Sequence, residues 1–508
     1  MPGRRQTSVV EKEERKRIDL KIEVEDFGPI TGGEITLKPL TVFIGPNNSG
    51  KSYFAMLIHS IFESYTPTAS LRGVTLPMGR GFAGRQVWIS REQFTEVVRQ
   101  FDDLEESGEL DIPKELLEEV TKRIFEEVYQ KRLSDEIIRS FACPLLELIR
   151  VEEKSFTLKI GYNSCNIHLM CQKSILEIRE QPQLDFKVRV KAIGEHDYVS
   201  RYIRYVRPKE KEGKEFLIEI PWRKEKGLTS LLLIDPILNI CASRVLENVA
   251  MQCYYLPAAR SGILQGHKAL AASIVRQSPY VGIERLEIPR FSGVVSDFIS
   301  SVIDLPEDKG PFYQLAQTFE NELIKGEVVV RTPDEYLYPE IKYSFRDTEI
   351  PLHRSSSTVS ELAPLFLYLK YKVKPNSILM IEEPEAHLHP GNQRILAKLL
   401  VRLVRSGVTI IITTHSEYLL EQLSNFIMLS KVEPEKRERK YKYNKDDFLK
   451  PDEIAAYVFS YDAETAGHRI DEVEITEEDG ISQEEFVKII EALYEETIKL
   501  RRDLSDET

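Results

Sequence analysis

The spacing of apolar residues divides the start of the chain into strands and a helix. The stretch LKIEVEDF, from Leu20, alternates apolar and polar side chains, as a strand with one buried face does. The segment LTVFI, over 40–44, ends in a continuous apolar run, which is typical of a strand buried on both faces. From Tyr53 the apolar positions follow a helical period instead. The pattern therefore predicts a buried strand, a loop and a helix in succession.

The last third of the chain alternates between helical and apolar strand patterns. Helices are predicted for SELAPLFLYLKY, GNQRILAKLLVRLVRSG and SEYLLEQLSN, buried strands for SILMI and VTIIITT, and a further strand for FIMLS. Such alternation indicates a parallel sheet that is covered by helices. Just before it, EVVVRT and EIKYSF have the pattern of a pair of strands.

The middle and the tail of the chain have different patterns. Residues 91–150 are charge-rich and predicted to be helical, but no heptad persists, so we do not expect a long coiled coil. Residues 156–220 form short alternating segments, which indicate an antiparallel sheet. After a charged loop, KVEPEKRERKYKYNKDD, the tail ends in a predicted helix that Ser482 caps, with Glu485 completing a capping box.

A chain of 508 residues is too long for one ordinary core, so we expect two or three subdomains. The patterns predict an α/β protein with a mixed sheet, an antiparallel β lobe and a helical insertion. We divide it into a head whose first part is 1–60, an insertion over 61–250 that is helical and then β-rich, the second part of the head over 251–430, and a charged loop with a helical tail over 431–508.

Composition narrows the class of protein. With 42% hydrophobic and 30% charged residues the chain is expected to be globular. The net charge of −13 argues against a protein that coats DNA, although a local basic groove remains compatible with it. No apolar run is long enough to insert in a membrane, and the basic N-terminus lacks the apolar region of a secretory signal, so we expect a cytoplasmic protein. The five cysteines form no CxxC pair, which argues against a zinc ribbon.

The loop between the first buried strand and its helix reads GPNNSGKS, which fits the pattern GxxxxGK[ST] of phosphate-binding loops. Its glycines let successive N–H groups point at phosphate oxygens, and the helix adds its positive N-terminal dipole. In this pattern the lysine reaches the β- and γ-phosphates and the last hydroxyl binds Mg²⁺. The predicted ATP-binding residues are Gly45, Pro46, Asn47, Asn48, Ser49, Gly50, Lys51 and Ser52.

A second candidate region is ILMIEEPEAHLHP, in which a buried strand ends in carboxylates. A phosphate loop needs one carboxylate near Mg²⁺ and another near the attacking water, and we assign these roles to Glu382 and Glu383. A rival interpretation is a transition-metal site made of Glu385, His387 and His389, but that ligand set is incomplete. A third is that both histidines only hold the turn after the strand.

The next buried strand ends in IIITTHSE, which places His415 one strand after the carboxylates. A polar side chain at this position can contact the γ-phosphate or the catalytic glutamate. We therefore predict His415 as a catalytic residue that senses the γ-phosphate. Thr413 and Thr414 are further candidates for the same contact.

In this order, GPNNSGKS, ILMIEEPEAHLHP and TTHS resemble ABC-type ATPases of the SMC/RecF/OLD class, and most closely the OLD-like AAA ATPases. The resemblance implies an ABC-type P-loop ATPase head with ATP and Mg²⁺ as cofactors. About 330 residues separate Lys51 from Glu383, which suits this class better than a transporter subunit. The nuclease domain of OLD proteins needs a DxD motif that the tail lacks, so we expect any nuclease to be a separate partner.

In this class, the signature motif of one protomer closes over the ATP of the other. The matching stretch is RSSSTVSELAPL, in which Thr358 replaces the usual glycine and a serine cluster also suits a helix N-cap. The segment LPAAR ends at Arg260, which would either touch phosphates or form a structural ion pair. A Q-loop residue is not assigned, with Gln86 a candidate by position only. The resemblance assigns the trans contact to Ser356, Ser357, Ser360 and Glu361.

These observations favour a switch ATPase that forms a homodimer, or a higher oligomer, over ATP. Its output would be control of a nuclease or other effector, or engagement of DNA, in phage defence or DNA repair. DNA is a possible partner because residues 201–214 and 436–445 are basic, although such runs are usually solvated loops. Two alternatives remain: a scaffold that ATP stabilises with negligible turnover, and the motor subunit of a transporter.

Overall fold

The computed structural model of the chain describes residues 20–64, 108–123, 126, 129–162, 165–180, 186–193, 204–206, 215–221, 237, 240–241, 251–266, 291–331, 340–346, 348–483 and 493–501. Gln86, Glu485 and most of the basic run 201–214 lie outside these ranges. None of the helices within them is long and apolar enough to cross a membrane.

The strands in chain order are β1 Leu20–Phe27, β2 Ile30–Thr36, β3 Leu40–Ile44, β4 Glu109–Asp111, β5 Phe156–Tyr162, β6 Cys165–Gln172, β7 Ile175–Glu180, β8 Lys187–Ile193, β9 Arg204–Val206, β10 Glu215–Pro221, β11 Cys253–Leu256, β12 Glu327–Arg331, β13 Glu340–Phe345, β14 Thr348–Pro351, β15 Ile378–Glu382, β16 Thr409–Thr414, β17 Ile454–Asp462, β18 Gly467–Glu472, β19 Ile475–Thr476 and β20 Gly480–Ile481. The longer helices are α1 Lys51–Glu63, α2 Lys114–Arg123, α3 Gln130–Phe141, α4 Gly293–Ile303, α5 Tyr313–Leu323, α6 Ser357–Tyr371, α7 Pro390–Arg405 and α8 Glu417–Met428. Short helical turns are Leu145–Leu148, Leu352–Arg354, Leu429–Lys431, Pro434–Lys436, Arg437–Tyr441 and Pro451–Glu453.

Within the described residues, eleven strands form one mixed sheet in the order β11-β15-β16-β3-β17-β18-β2-β1-β5-β6-β7. The first five of these run parallel to one another. From β2 to β7 the neighbours pair antiparallel. The predicted α/β class with a mixed sheet is therefore confirmed, and the parallel half carries the candidate motifs at its carboxyl edge.

The central parallel strands β3, β15 and β16 are buried along their whole length because helices cover both faces of the sheet. In β3, Leu40, Val42 and Ile44 face one core while Phe43 faces the other. The first core lies under α6, α7 and α8, and the second under α1 and α3. The strand LTVFI thus holds the phosphate loop between two packed layers, which fixes where that loop begins.

One predicted strand is wrong. The stretch FIMLS ends α8 and enters the turn Leu429–Lys431 instead of forming a strand. Leu419, Leu423, Phe426 and Ile427 lie in the same core at helical spacing, so the helical period continues past the point where we ended it.

The sheet takes strands from all four segments into which we divide the sequence. The tail, for which we expected loop and helix, supplies β17, which lies beside β3, and β18. The insertion supplies β5, β6 and β7 to the antiparallel half, as part of the main sheet. Farther along, β8 and β10 pair in parallel, so antiparallel pairing over 156–220 holds only in part. The strand pair of EVVVRT and EIKYSF is confirmed.

Candidate functional site

The phosphate loop connects β3 to α1 at the carboxyl edge of the parallel strands. Gly45 has φ 144°, and a Cβ there would lie 2.6 Å from the carbonyl oxygen of Phe459. Gly50 has φ 98°, and its Cβ would lie 2.8 Å from Ile30. Both positions therefore require glycine for space and for backbone conformation. Between them Pro46, Asn47 and Asn48 are exposed while Ser49 is buried.

Lys51, the first residue of α1, folds back over the loop. Its Nζ donates to the carbonyl oxygens of Gly45 at 2.9 Å and Pro46 at 2.7 Å, and lies 3.4 Å from Ser49 Oγ. The ammonium thus lies in the concavity where the pattern requires it. Burial lowers the pKa of Lys51 to about 8, against the opposing effect of the nearby carboxylates, of which Glu383 is the largest.

ATP affinity should fall as pH rises through about 8, because phosphates bind the ammonium form of Lys51. Above its pKa the free protein carries a neutral amine, so binding must take up a proton. The apparent dissociation constant should then rise by up to about tenfold per pH unit. A Lys51→Arg variant, whose guanidinium stays protonated, should show a much flatter dependence. Calorimetric titration with ATP at several pH values tests this, and a flat profile for the wild type would contradict it.

Glu382 ends β15, and both of its carboxylate oxygens have partners. Ser52 Oγ donates to Oε2 at 2.6 Å, across 330 residues of sequence, and the hydroxyl of Tyr255 donates to Oε1. Burial raises the pKa of Glu382, and these two hydrogen bonds oppose the shift. The hydroxyl and carboxylate assigned to Mg²⁺ therefore lie together. They are hard oxygen ligands of the kind Mg²⁺ takes, with phosphate oxygens and waters as the usual remainder.

Tyr255 was missed in the sequence analysis. It is fully buried on β11, which pairs in parallel with β15. Its phenol donates to Oε1 of Glu382, while Ser52 donates to Oε2, so the two bonds together orient this carboxylate. The only signal in the sequence was its position in CYYLPAAR, a strand whose neighbour could not be assigned from the sequence.

Glu383 follows the strand in the left-handed region, at φ 42°. Its N–H donates to the carbonyl oxygen of Thr413 at 3.0 Å and lies 3.2 Å from Thr413 Oγ1. His415 Nε2 lies 3.6 Å from Glu383 Oε1, and this imidazole lowers the pKa of Glu383. The predicted catalytic pair is thus brought together, with the carboxyl group held in its ionised form and partly open to solvent.

Glu385 and His389 bind parts of their own chain, whereas His387 is exposed. Glu385 Oε1 accepts hydrogen bonds from Thr414 Oγ1 at 2.6 Å and from the N–H of His415 at 2.9 Å. His389 caps α7, where its Nδ1 accepts from the N–H of Gly391 at 3.2 Å. Across the described ranges, no group of three or more His, Cys, Asp or Glu side chains is placed to bind one metal ion. Glu385 therefore connects the turn after β15 to the end of β16.

Arg260 forms a buried ion pair, which is the contact named in the second of its two predicted alternatives. It is 1% exposed and forms an ion pair with Glu361 at 3.1 Å. It also donates to the carbonyl oxygens of Glu361 at 2.9 Å, Glu382 at 2.7 Å and Glu383 at 3.3 Å. Burial lowers the pKa of Arg260, with Glu361 as the largest opposing charge.

The four predicted signature residues separate into two pairs. Ser356 caps α6 by accepting from the N–H of Val359 at 3.3 Å, and both it and Ser357 are exposed. Ser360 is buried and donates to the carbonyl oxygen of Leu352 at 3.1 Å. Glu361 is fully buried against Arg260 of the same chain. Burial therefore conflicts with the predicted trans contact for Ser360 and Glu361, which face their own core.

The basic run 436–445 follows the turn at the end of α8. Arg437 is buried, where it donates to the carbonyl oxygens of Leu429 and Ser430. Lys436, Arg439 and Lys440 are exposed, as expected for a solvated loop.

Comparison with known families and solved structures shows the following similarities. A family model described as an AAA ATPase domain matches residues 20–219 and 286–420. No curated protein sequence matches the chain. Similar solved structures include an SMC head bound to the C-terminal winged-helix domain of ScpA (10% identity, 89% of this chain and 97% of that chain, TM-score 0.38). Another is an SMC head domain from Thermotoga maritima (11%, 90% and 100%, 0.34). A third is an SMC head with an extended coiled coil, bound to the C-terminal domain of ScpA from Pyrococcus furiosus (11%, 93% and 98%, 0.37).

Proposed function

The chain belongs to the AAA ATPase domain family and is a P-loop ATPase, and from this premise we propose that it is a nucleotide switch that closes as a homodimer over ATP. The observation that carries the proposal is the pairing of Glu383 with His415 beside the Ser52 and Glu382 pair. An ionised carboxylate at this position suits a group that accepts a hydrogen bond from the attacking water.

We assign each site residue a role in ATP hydrolysis. Lys51 would contact the β- and γ-phosphates, and Glu383 would orient the attacking water and accept its proton. His415 would contact the γ-phosphate and keep Glu383 ionised. Ser52 and Glu382 would hold Mg²⁺, which when bound neutralises charge on the phosphates. The proposal is supported by the parallel pairing of β15 and β16, since Glu382 and Glu383 lie at the carboxyl end of the first strand and His415 follows the second.

The dimer is proposed because two signature residues face outward at a helix N-terminus. Ser356 and Ser357 are exposed at the start of α6, where backbone N–H groups and the helix dipole favour a phosphate. We assign the trans contact to these two serines and leave out Ser360 and Glu361. The nucleotide of one protomer would then be covered by α6 of the other.

The proposed output of the switch is based on the resemblance of the sequence motifs to those of OLD-like ATPases. We propose control of a separate nuclease or other effector, or engagement of DNA, in phage defence or DNA repair. The alternatives are a scaffold that ATP stabilises without turnover and a transporter subunit. Copurification with a membrane protein would favour the transporter.

The dependence of turnover on protein concentration tests the switch. If two protomers build each site, turnover per protomer should rise with concentration and then reach a plateau. A Ser357→Glu variant, which places a carboxylate against the partner's phosphates, should lose about tenfold or more at the plateau. The matched control is Ser482→Glu, which also adds a charge to an exposed serine and should behave as wild type. A rate per protomer that is constant at all concentrations would contradict the dimer, and no turnover at any concentration would favour the scaffold.

A further inference from the structure

Thr358, which takes the place of the family glycine, links the start of α6 to the turn after β15. Its Oγ1 donates to the carbonyl oxygen of His387 at 3.0 Å. A glycine has no group with which to form this bond. The side chain is half-buried and points toward its own chain, between the exposed Ser357 and the turn that Glu383 begins. The first turn of α6 is therefore attached to the turn over residues 383–387, which we call the catalytic turn because it begins with Glu383.

Arg260 forms a second link between the same two elements, one helical turn farther along α6. It contacts Glu361 of α6 through both the carboxylate and the carbonyl oxygen. It donates to the carbonyl oxygens of Glu382 and Glu383 on the other side. Because Arg260 is fully buried, these bonds are not exchanged with water, and the spacing of the two elements is fixed at this point.

The catalytic turn needs such support because two of its residues have left-handed backbone conformations. Glu383 has φ 42° and His387 has φ 58°, although neither is glycine. Residues with side chains adopt this region only where their surroundings hold them there. The carbonyl groups of these two residues are the ones that Arg260 and Thr358 bind. A displacement of α6 would therefore act directly on the backbone that positions the catalytic carboxylate.

We infer that Thr358 and Arg260 are positioning residues that connect the two ATP sites of a dimer. Contact of Ser356 and Ser357 with the partner's nucleotide would fix α6, and the two links would pass this position to Glu383, which serves the protomer's own nucleotide. The inference rests on the proposed dimer, and it adds that the site of each protomer reaches its active geometry only when α6 is engaged across the interface.

The test removes the weaker link without disturbing the core. A Thr358→Val variant keeps the shape of the side chain and loses the hydroxyl. At a protein concentration on the turnover plateau, kcat should fall about three- to tenfold, the effect of one hydrogen bond, while KM stays the same. A Thr358→Ser variant, which restores the hydroxyl, should recover most of kcat. The matched control is Thr318→Val, which removes a hydroxyl that also donates to a carbonyl oxygen, on the exposed face of α5.

The outcomes separate this inference from the proposed function. If the turnover of the wild type rises with concentration but Thr358→Val keeps the wild-type kcat, the link is refuted and the dimer stands. If the wild-type rate per protomer does not depend on concentration, both fall together. Sedimentation with ATP shows whether Thr358→Val still forms dimers; a loss of dimer with normal kcat per dimer would also overturn the inference. Should Thr358→Val fail to fold, Glu361→Gln weakens the other link and must lower kcat in the same way.

Discussion

A Glu383→Gln variant should lose about 10²–10⁴-fold in ATP turnover while it still binds ATP. The amide keeps the shape of the side chain and its place beside His415, but it cannot accept the proton of the attacking water. Since we propose that the phosphates are bound by Lys51 and the loop around it, nucleotide binding should not need the carboxylate. Steady-state phosphate release measures the loss, and equilibrium binding of a fluorescent ATP analogue measures what is retained.

The same variant should accumulate as an ATP-bound dimer, because in the proposed switch it is hydrolysis that reopens the interface. Sedimentation with and without ATP would show this. Glu435→Gln is the matched control. Glu435 is exposed on the short turn Pro434–Lys436, so this substitution removes the same charge at a position outside the candidate site. Normal turnover by Glu383→Gln would remove this residue from the mechanism and with it the assignment of His415.

An Arg260→Met variant should lose about 3–5 kcal/mol in the free energy of unfolding. The substitution leaves the carboxylate of Glu361 buried without its counter-ion and leaves the carbonyl oxygen of Glu382 without its donor. Urea denaturation measures the change. The matched control is Arg331→Met: the guanidinium of Arg331 is half-exposed and paired with Glu349, so its loss should change stability little.

A double variant separates stability from positioning at this site. Arg260→Met combined with Glu361→Leu replaces the buried pair by apolar side chains, which should restore most of the lost stability. Turnover should stay low in the double variant, because the carbonyl oxygens of Glu382 and Glu383 still lack Arg260. If the double variant is both stable and fully active, the ion pair serves folding only and Arg260 does not position the catalytic turn.

The predictions that were confirmed depend on short-range pattern. The strand, loop and helix around Lys51 follow from a short apolar strand, a glycine-containing loop and a helical period, all of which lie next to one another. The ends of β15 and β16 were located in the same way, so Glu382 and His415 were placed at one sheet edge from sequence alone. The error at FIMLS arose at an element boundary, where a short apolar run fits a helix and a strand equally well.

What the sequence by itself determined is the chemistry at the strand ends: a phosphate loop, two carboxylates and a histidine, since each depends on residues within a few positions. Only the tertiary structure decided which side chains meet across the fold. It placed β17 of the tail beside β3, turned Glu361 inward to Arg260, and gave Thr358 a bond to His387. These contacts join residues that are distant in sequence or on different elements. Their formation depends on which surfaces the packed sheet and helices bury, and no local pattern records that choice.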